Sequence, residues 1–115
     1  MAFSEFEQKK VATEVSQFIE PRRPRPEIRD QLDIAFKIEN QSVILFEIRP
    51  RFDKPEVKLE LPFAKATYSK KADIWKIYWL RADLKWHRYP PTPTVDALGD
   101  FLSVVEEDKH GCFWG

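Results

Sequence analysis

The stretch that most constrains the fold is Asp73 to Tyr89, DIWKIYWLRADLKWHRY, where two runs of aromatic and β-branched residues flank a short polar break. Trp75, Ile77 and Trp79 alternate with Lys76 and Tyr78, a period of two that marks a strand with one buried face. One indole ring can bury about 200 Å², which at about 25 cal/mol per Å² is roughly 5 kcal/mol of gross transfer free energy. Two such rings on one face anchor a small core.

Other strands are legible by the same alternation. Leu32, Ile34, Phe36 and Ile38 alternate with Asp33, Ala35, Lys37 and Glu39. Ser42 to Arg49 sets Ile44, Phe46 and Ile48 on one side, with Val43, Leu45, Glu47 and Arg49 on the other. The loop between these runs decides their register. A two-residue turn at Asn40-Gln41 pairs Ile38 with Val43 and sets Ile34 against Glu47. A three-residue loop, Asn40-Gln41-Ser42, pairs Ile38 with Ile44, Phe36 with Phe46 and Ile34 with Ile48, and sets Asp33 opposite Arg49. Matching apolar residues across the strands favours the second.

Pro50 ends that strand, and alternating Val57, Leu59 and Leu61 in the connection from Arg51 to Leu61 can add a short edge strand. Phe63 to Ser69, Ile74 to Arg81 and Leu84 to Tyr89 follow, with turns at Lys70 to Asp73 and around Asp83. No connection is long enough for the helical crossover that parallel strands need, so an antiparallel meander of four or five strands is expected.

Helices flank the sheet. Ser4 and Glu7 form a capping box before Val11, Val15 and Phe18, which predicts a helix over 5–19. Phe3 is placed to close over its entry, and Phe6 falls outside the stripe. Pro21, Pro24 and Pro26 forbid helix and hold Arg22, Arg23 and Arg25 on an extended, polyproline-like strap. Pro90, Pro91 and Pro93 break the sheet. Thr92 or Thr94 can then cap a second helix with a stripe of Val95, Leu98, Leu102 and Val105, ending at Lys109-His110-Gly111. The apolar ending Cys112-Phe113-Trp114 is expected to dock, because exposed aromatics invite association.

The reading is one α+β domain: helix over 1–20, strap over 21–31, antiparallel sheet over 32–89, then helix and docked aromatic tail over 90–115, with the last helix packed on one sheet face.

The 115 residues carry 19 basic and 19 acidic side chains, so no global field draws the chain to nucleic acid or anionic lipid. Charge does segregate locally. Lys65, Lys70, Lys71, Lys76, Arg81, Lys85 and Arg88 face only Asp73 and Asp83 in their segment, and the last helix is acidic. Solvated faces account for this pattern more simply than a ligand does. A lone cysteine, Cys112, has no partner for a disulfide or metal knuckle and suits a reducing compartment. No leader pattern opens MAFSEFEQKK and no apolar run spans a bilayer, so a cytoplasmic protein without membrane contact is expected.

Catalytic signatures are weak. Asp33 and Glu47 with Arg49 could imitate a divalent-metal nuclease site, but an Asp33–Arg49 ion pair explains the same residues without metal. His87 and His110 have no ligand-spaced partner, and neither His with Asp96 or Asp100 and Ser103 makes a recognisable hydrolase triad. No enzyme activity, metal or cofactor is expected.

A binding surface is the better functional reading. Tyr78, Trp86, His87, Arg88 and Tyr89, with Arg49, Arg51 and the strap residues Arg22, Arg23 and Arg25, combine rings and guanidinium groups. Such a set suits a protein partner or self-association, because Trp, Tyr and Arg dominate interface hot spots. The alternative is single-stranded nucleic acid, stacked on rings and neutralised by arginine. Equally, many of these rings can be core.

The stretches RPRPEIRDQLDIAF, SVILFEIRPRF, WKIYWLRADLKWHRY and the ending HGCFWG together resemble a family of small bacterial proteins catalogued only as a domain of unknown function. The resemblance covers nearly everything after the first helix. It implies a stand-alone bacterial domain and brings no established activity with it. In that pattern a turn glycine is usual where this chain has Leu84, and Glu56 to Leu61 reads differently.

Overall fold

The computed structural model describes residues 3–114. Helix α1 covers Glu5–Ile19, and both halves of the capping box form: the Ser4 hydroxyl accepts from the Glu7 N–H and the Glu7 carboxylate accepts from the Ser4 N–H. Six strands follow: β1 (Asp33–Glu39), β2 (Ser42–Pro50), β3 (Lys58–Ser69), β4 (Ile74–Leu80), β5 (Trp86–Arg88) and β6 (Thr94–Val95); helix α2 is Leu98–Glu107. The order β1-β2-β3-β4-β5 is an antiparallel meander, and β6 shares the outer edge of β4 with β5. Between those short strands the ladder continues, with Tyr89 N–H donating to Ile77 O and Ile77 N–H donating to Pro93 O.

Both helices lie on one sheet face. That face carries Ile34, Phe36 and Ile38 of β1, Val43 and Leu45 of β2, Ala64, Ala66 and Tyr68 of β3, and Trp75, Ile77 and Trp79 of β4. The small Ala64 and Ala66 leave room for Val15, Phe101 and Val105, all fully buried, so the helices approach the sheet centre closely. Phe3 closes the near end against Tyr68 and Trp75, with ring centroids 6.3 and 5.9 Å away.

The β1–β2 register departs from expectation. Ile38 pairs with Val43 and Glu39 with Ser42, so the turn is the two-residue Asn40-Gln41, with Asn40 at φ 53°. Asparagine tolerates that left-handed backbone better than most residues. Ile34 stands opposite Glu47 as the shorter turn requires. Matching failed because both faces of β2 are buried. Ile44 (7 % exposed) and Phe46 (5 %) are covered on the face away from the helices by neighbouring side chains, not by β1 isoleucines.

Three further boundaries differ. The strap is two 3₁₀ turns, Glu20–Arg22 and Pro26–Ile28, with extended backbone only around Arg23 and Arg25. Residues 58–61 are no separate strand but the first part of β3, which bulges opposite Leu45 and Phe46 and so keeps both halves paired with β2. Helix α2 begins after Ala97, which offers no side-chain cap, because Thr94 and Val95 are taken into β6. It ends at Glu107, where Asp108 adopts φ 39°; Gly111 turns the chain again at φ 64°.

The tail docks as expected. The Asp108 carboxylate accepts the N–H groups of Phe113 and Trp114. Phe113 is buried against Tyr89 at 4.9 Å between centroids, while Trp114 packs on Phe63 at 4.8 Å and donates its indole N–H to Val105 O.

Candidate binding surface

Residues directly opposite in an antiparallel ladder share a face, so the register assigns each candidate side chain. The face without helices holds Asp33, Lys37, Ile44, Phe46, Lys65, Lys76, Tyr78, Leu80, Trp86 and Arg88. Cations lie over its rings: Lys65 Nζ is 4.9 Å from the Tyr78 centroid and 5.1 Å from that of Trp86, Arg88 is 5.7 Å from Tyr78, and Lys37 is 5.6 Å from Phe46. Ile44 is flanked across the strands by Lys37 and Lys65 on the same face. Burial holds the Lys65 pKa below the ordinary lysine value.

Of the sequence candidates, Tyr78, Trp86 and Arg88 therefore meet on this face. His87 and Tyr89 do not. Tyr89 is 2 % exposed, a core ring under Phe113 whose phenol pKa is raised by burial. His87 pairs across β4 with Trp79 on the helix side, and its Nε2 lies 2.8 Å from the Asp83 carboxylate, which is held below the usual range.

Most of the arginine candidates are internal ties. Arg22 joins the strap to α2 through Glu106 at 2.6 Å and lies over Phe18. Arg23 grips Asp33 and reaches Glu20. Arg49 pairs with Glu47 and Arg51 with Asp53. Arg25 forms no ion pair among the described residues and is exposed. The expected Asp33–Arg49 pair is absent, because Asp33 faces Ile48 and lies on the opposite sheet face from Glu47 and Arg49. Asp33 and Glu47 consequently cannot share a cation, and no group of three potential metal ligands occurs among the described residues.

A second surface was missed by sequence reasoning. Among the described residues, β3 has no paired strand on its outer side beyond Ala64, since β4 pairs only with Ala64 to Ser69. The β2–β3 hairpin from Ile48 to Leu61 thus projects as an arm with one free edge. Eight large apolar side chains are exposed among the described residues, and five of them (Phe52, Val57, Leu59, Leu61 and Trp114) lie on this arm or at its base. The alternation of Val57, Leu59 and Leu61 signalled a strand; only the register reveals that its outer side is unpaired.

A family model described as a domain of unknown function (DUF3024) matches residues 3–115. The chain belongs to that family. No curated protein and no solved structure matches it. For this DUF3024 chain, the two surfaces above are therefore weighed on their own chemistry. Among the described residues no helix is long and apolar enough to cross a membrane.

Proposed function

We propose that this DUF3024 chain is a non-catalytic protein-interaction module that binds through the β2–β3 arm. The observation that carries the reading is the coincidence, on one hairpin, of an unpaired strand edge and half of the exposed large apolar side chains, with Trp114 at its base. Main-chain groups on a free edge supply hydrogen bonds to an added strand, and alternate side chains supply specificity. Catalysis has no comparable support, since the acids considered for it lie on opposite faces and each is engaged by an arginine. A bacterial, cytoplasmic setting belongs to the same reading, with half-buried Cys112 held as a thiol by a pKa that burial raises.

Single-stranded nucleic acid is the second reading, favoured by Lys65 between Tyr78 and Trp86 with Arg88 also over Tyr78. Stacking on the rings and neutralisation by those cations would give affinity that falls steeply with salt.

A photo-crosslinking residue placed at Leu61 or at Tyr78 of the full chain, in cells that make it, separates the two. Cross-links to protein from position 61 support the arm. Cross-links to nucleic acid from position 78 alone would replace it with the second reading, and none from either would overturn both.

A further inference from the structure

Resting on the reading of the arm as a contact surface, we infer that its partner is a second copy of this chain, joined edge to edge through β3 in a single register. The Arg51 N–H donates to Val57 O at 2.7 Å, and Pro50 faces Lys58, Arg49 faces Leu59 and Glu47 faces Leu61. Main-chain groups in an antiparallel ladder point alternately to either side. Val57, Leu59 and Leu61 hence direct theirs at β2, and Lys58, Glu60 and Pro62 turn theirs to the free edge.

An antiparallel strand added there must pair outward residues with outward residues. For two copies related by a two-fold axis, five registers satisfy this, one centred on each residue from Lys58 to Pro62. Centred on Leu61, Glu60 meets Pro62, and centred on Pro62, proline meets proline, so both lack an N–H that the pair needs. Centred on Lys58, lysine meets lysine. Centred on Glu60, glutamate meets glutamate and Lys58 meets Pro62, which has no N–H to give. Centred on Leu59, Lys58 of each copy faces Glu60 of the other, and each such pair exchanges both main-chain hydrogen bonds. Leu59 then faces its own copy at the axis, where the Cα atoms of a non-hydrogen-bonded pair approach to about 4.5 Å, and Val57 faces Leu61.

Lys58 and Pro62 are the residue types that protect edges from indiscriminate pairing; here, with Glu60, they exclude the other four registers and leave the self-complementary one. Glu60 keeps Lys37 at 3.2 Å, and Lys58, whose ammonium donates to Asp30 O within its own chain, turns to Glu60 of the other copy. Opposed residues share a face, so the cation-lined faces of both copies look the same way and the two sheets become one. In that arrangement the arm's tip, with Phe52 fully exposed, runs toward the other copy's Arg81–Lys85 turn, where Leu84 is exposed.

The test uses the full chain, with folding checked by circular dichroism. Sedimentation should show a concentration-dependent dimer. K58E or E60K alone, which set like charges opposite twice across the axis, should weaken it roughly tenfold, and K58E combined with E60K should restore it. In a C112S background, L59C should oxidise to a disulfide-linked dimer and K58C should not. A wild-type chain that stays monomeric, or a double swap that fails to restore association, overturns the inference. If the chain is monomeric while position 61 still cross-links another protein, only the second copy is lost; if neither occurs, the arm falls as well.

Discussion

The Arg23 guanidinium grips the Asp33 carboxylate with two parallel hydrogen bonds, 2.9 Å from Nε and 2.7 Å from Nη2, tying the strap to the first residue of the sheet. The Ile34 N–H adds a third donor to the same carboxylate. Hydrogen bonding from Arg23 is the main reason that Asp33 titrates below the ordinary carboxylate range, and the Arg23 pKa is raised in turn.

A pH dependence follows. A carboxylate whose pKa is lower in the folded than in the unfolded chain stabilises the fold above the unfolded value, about 3.9 for Asp, and that contribution is lost as pH falls through the folded value. Glu7, Asp83 and Glu106 are lowered as well and act with the same sign. Asp33→Asn should therefore flatten part of the acid limb of melting temperature against pH, between about pH 5 and pH 2, and leave a residual slope. Thermal melts of the two proteins across that range check it; an unchanged acid limb would mean that the grip on Asp33 does not contribute.

Leu84 sits at φ 61° in the turn between β4 and β5. A branched side chain in the left-handed region costs roughly 1 kcal/mol relative to glycine. Leu84→Gly should raise stability by about that amount and the melting temperature by roughly 4 °C, measured by calorimetry. A lower melting temperature would show that the exposed leucine contributes a contact that outweighs the strain.

Phe113 is buried between the end of α2 and Tyr89. Truncating a buried phenylalanine removes transfer free energy and leaves a cavity, so Phe113→Ala should cost about 3 kcal/mol in urea unfolding. Trp114→Ala leaves a more exposed position and should cost less. Equal, small losses would mean that the tail is not docked in solution.

Lys65 stands opposite Ile44 on the open face. Lys65→Ala should uncover Ile44 and lower stability by about 1 kcal/mol, whereas Lys65→Met, which keeps the methylenes, should not. Chemical denaturation of both variants decides whether the stem or the charge matters there.

How much of this was legible can be traced to particular residues. Ser4 and Glu7 announced α1 because its capping signals are local in sequence. The meander followed from loop lengths, and the docked tail from the apolarity of Phe113 and Trp114. The β1–β2 register was misread because matching isoleucines assumes one dry face, whereas Ile44 and Phe46 are buried on the other, with Lys37 and Lys65 opposite Ile44. Thr94 looked like a helix cap, yet the free outer edge of β4 at Trp75 and Lys76 recruited it as a strand. Arg22 and Arg23 looked available because their acidic partners are set by the fold: Glu106 is 84 residues from Arg22, and Asp33 is 10 from Arg23. Arg49 and Arg51 instead pair with acids two residues away, Glu47 and Asp53. The free edge of β3 was invisible for a related reason, since it exists only because β4 stops pairing at Ala64.

If the outward edge of β3 is where this chain meets its partner, amide hydrogen exchange at Lys58 and Glu60 reports the contact itself. In dilute protein these two N–H groups should exchange far faster than those of Leu59 and Leu61, which point at β2. With rising protein concentration Lys58 and Glu60 should gain protection together while Lys76 and Thr67 stay unchanged. Fast exchange at both positions at every concentration, with protection appearing instead around Tyr78 and Trp86 on addition of single-stranded nucleic acid, would contradict it.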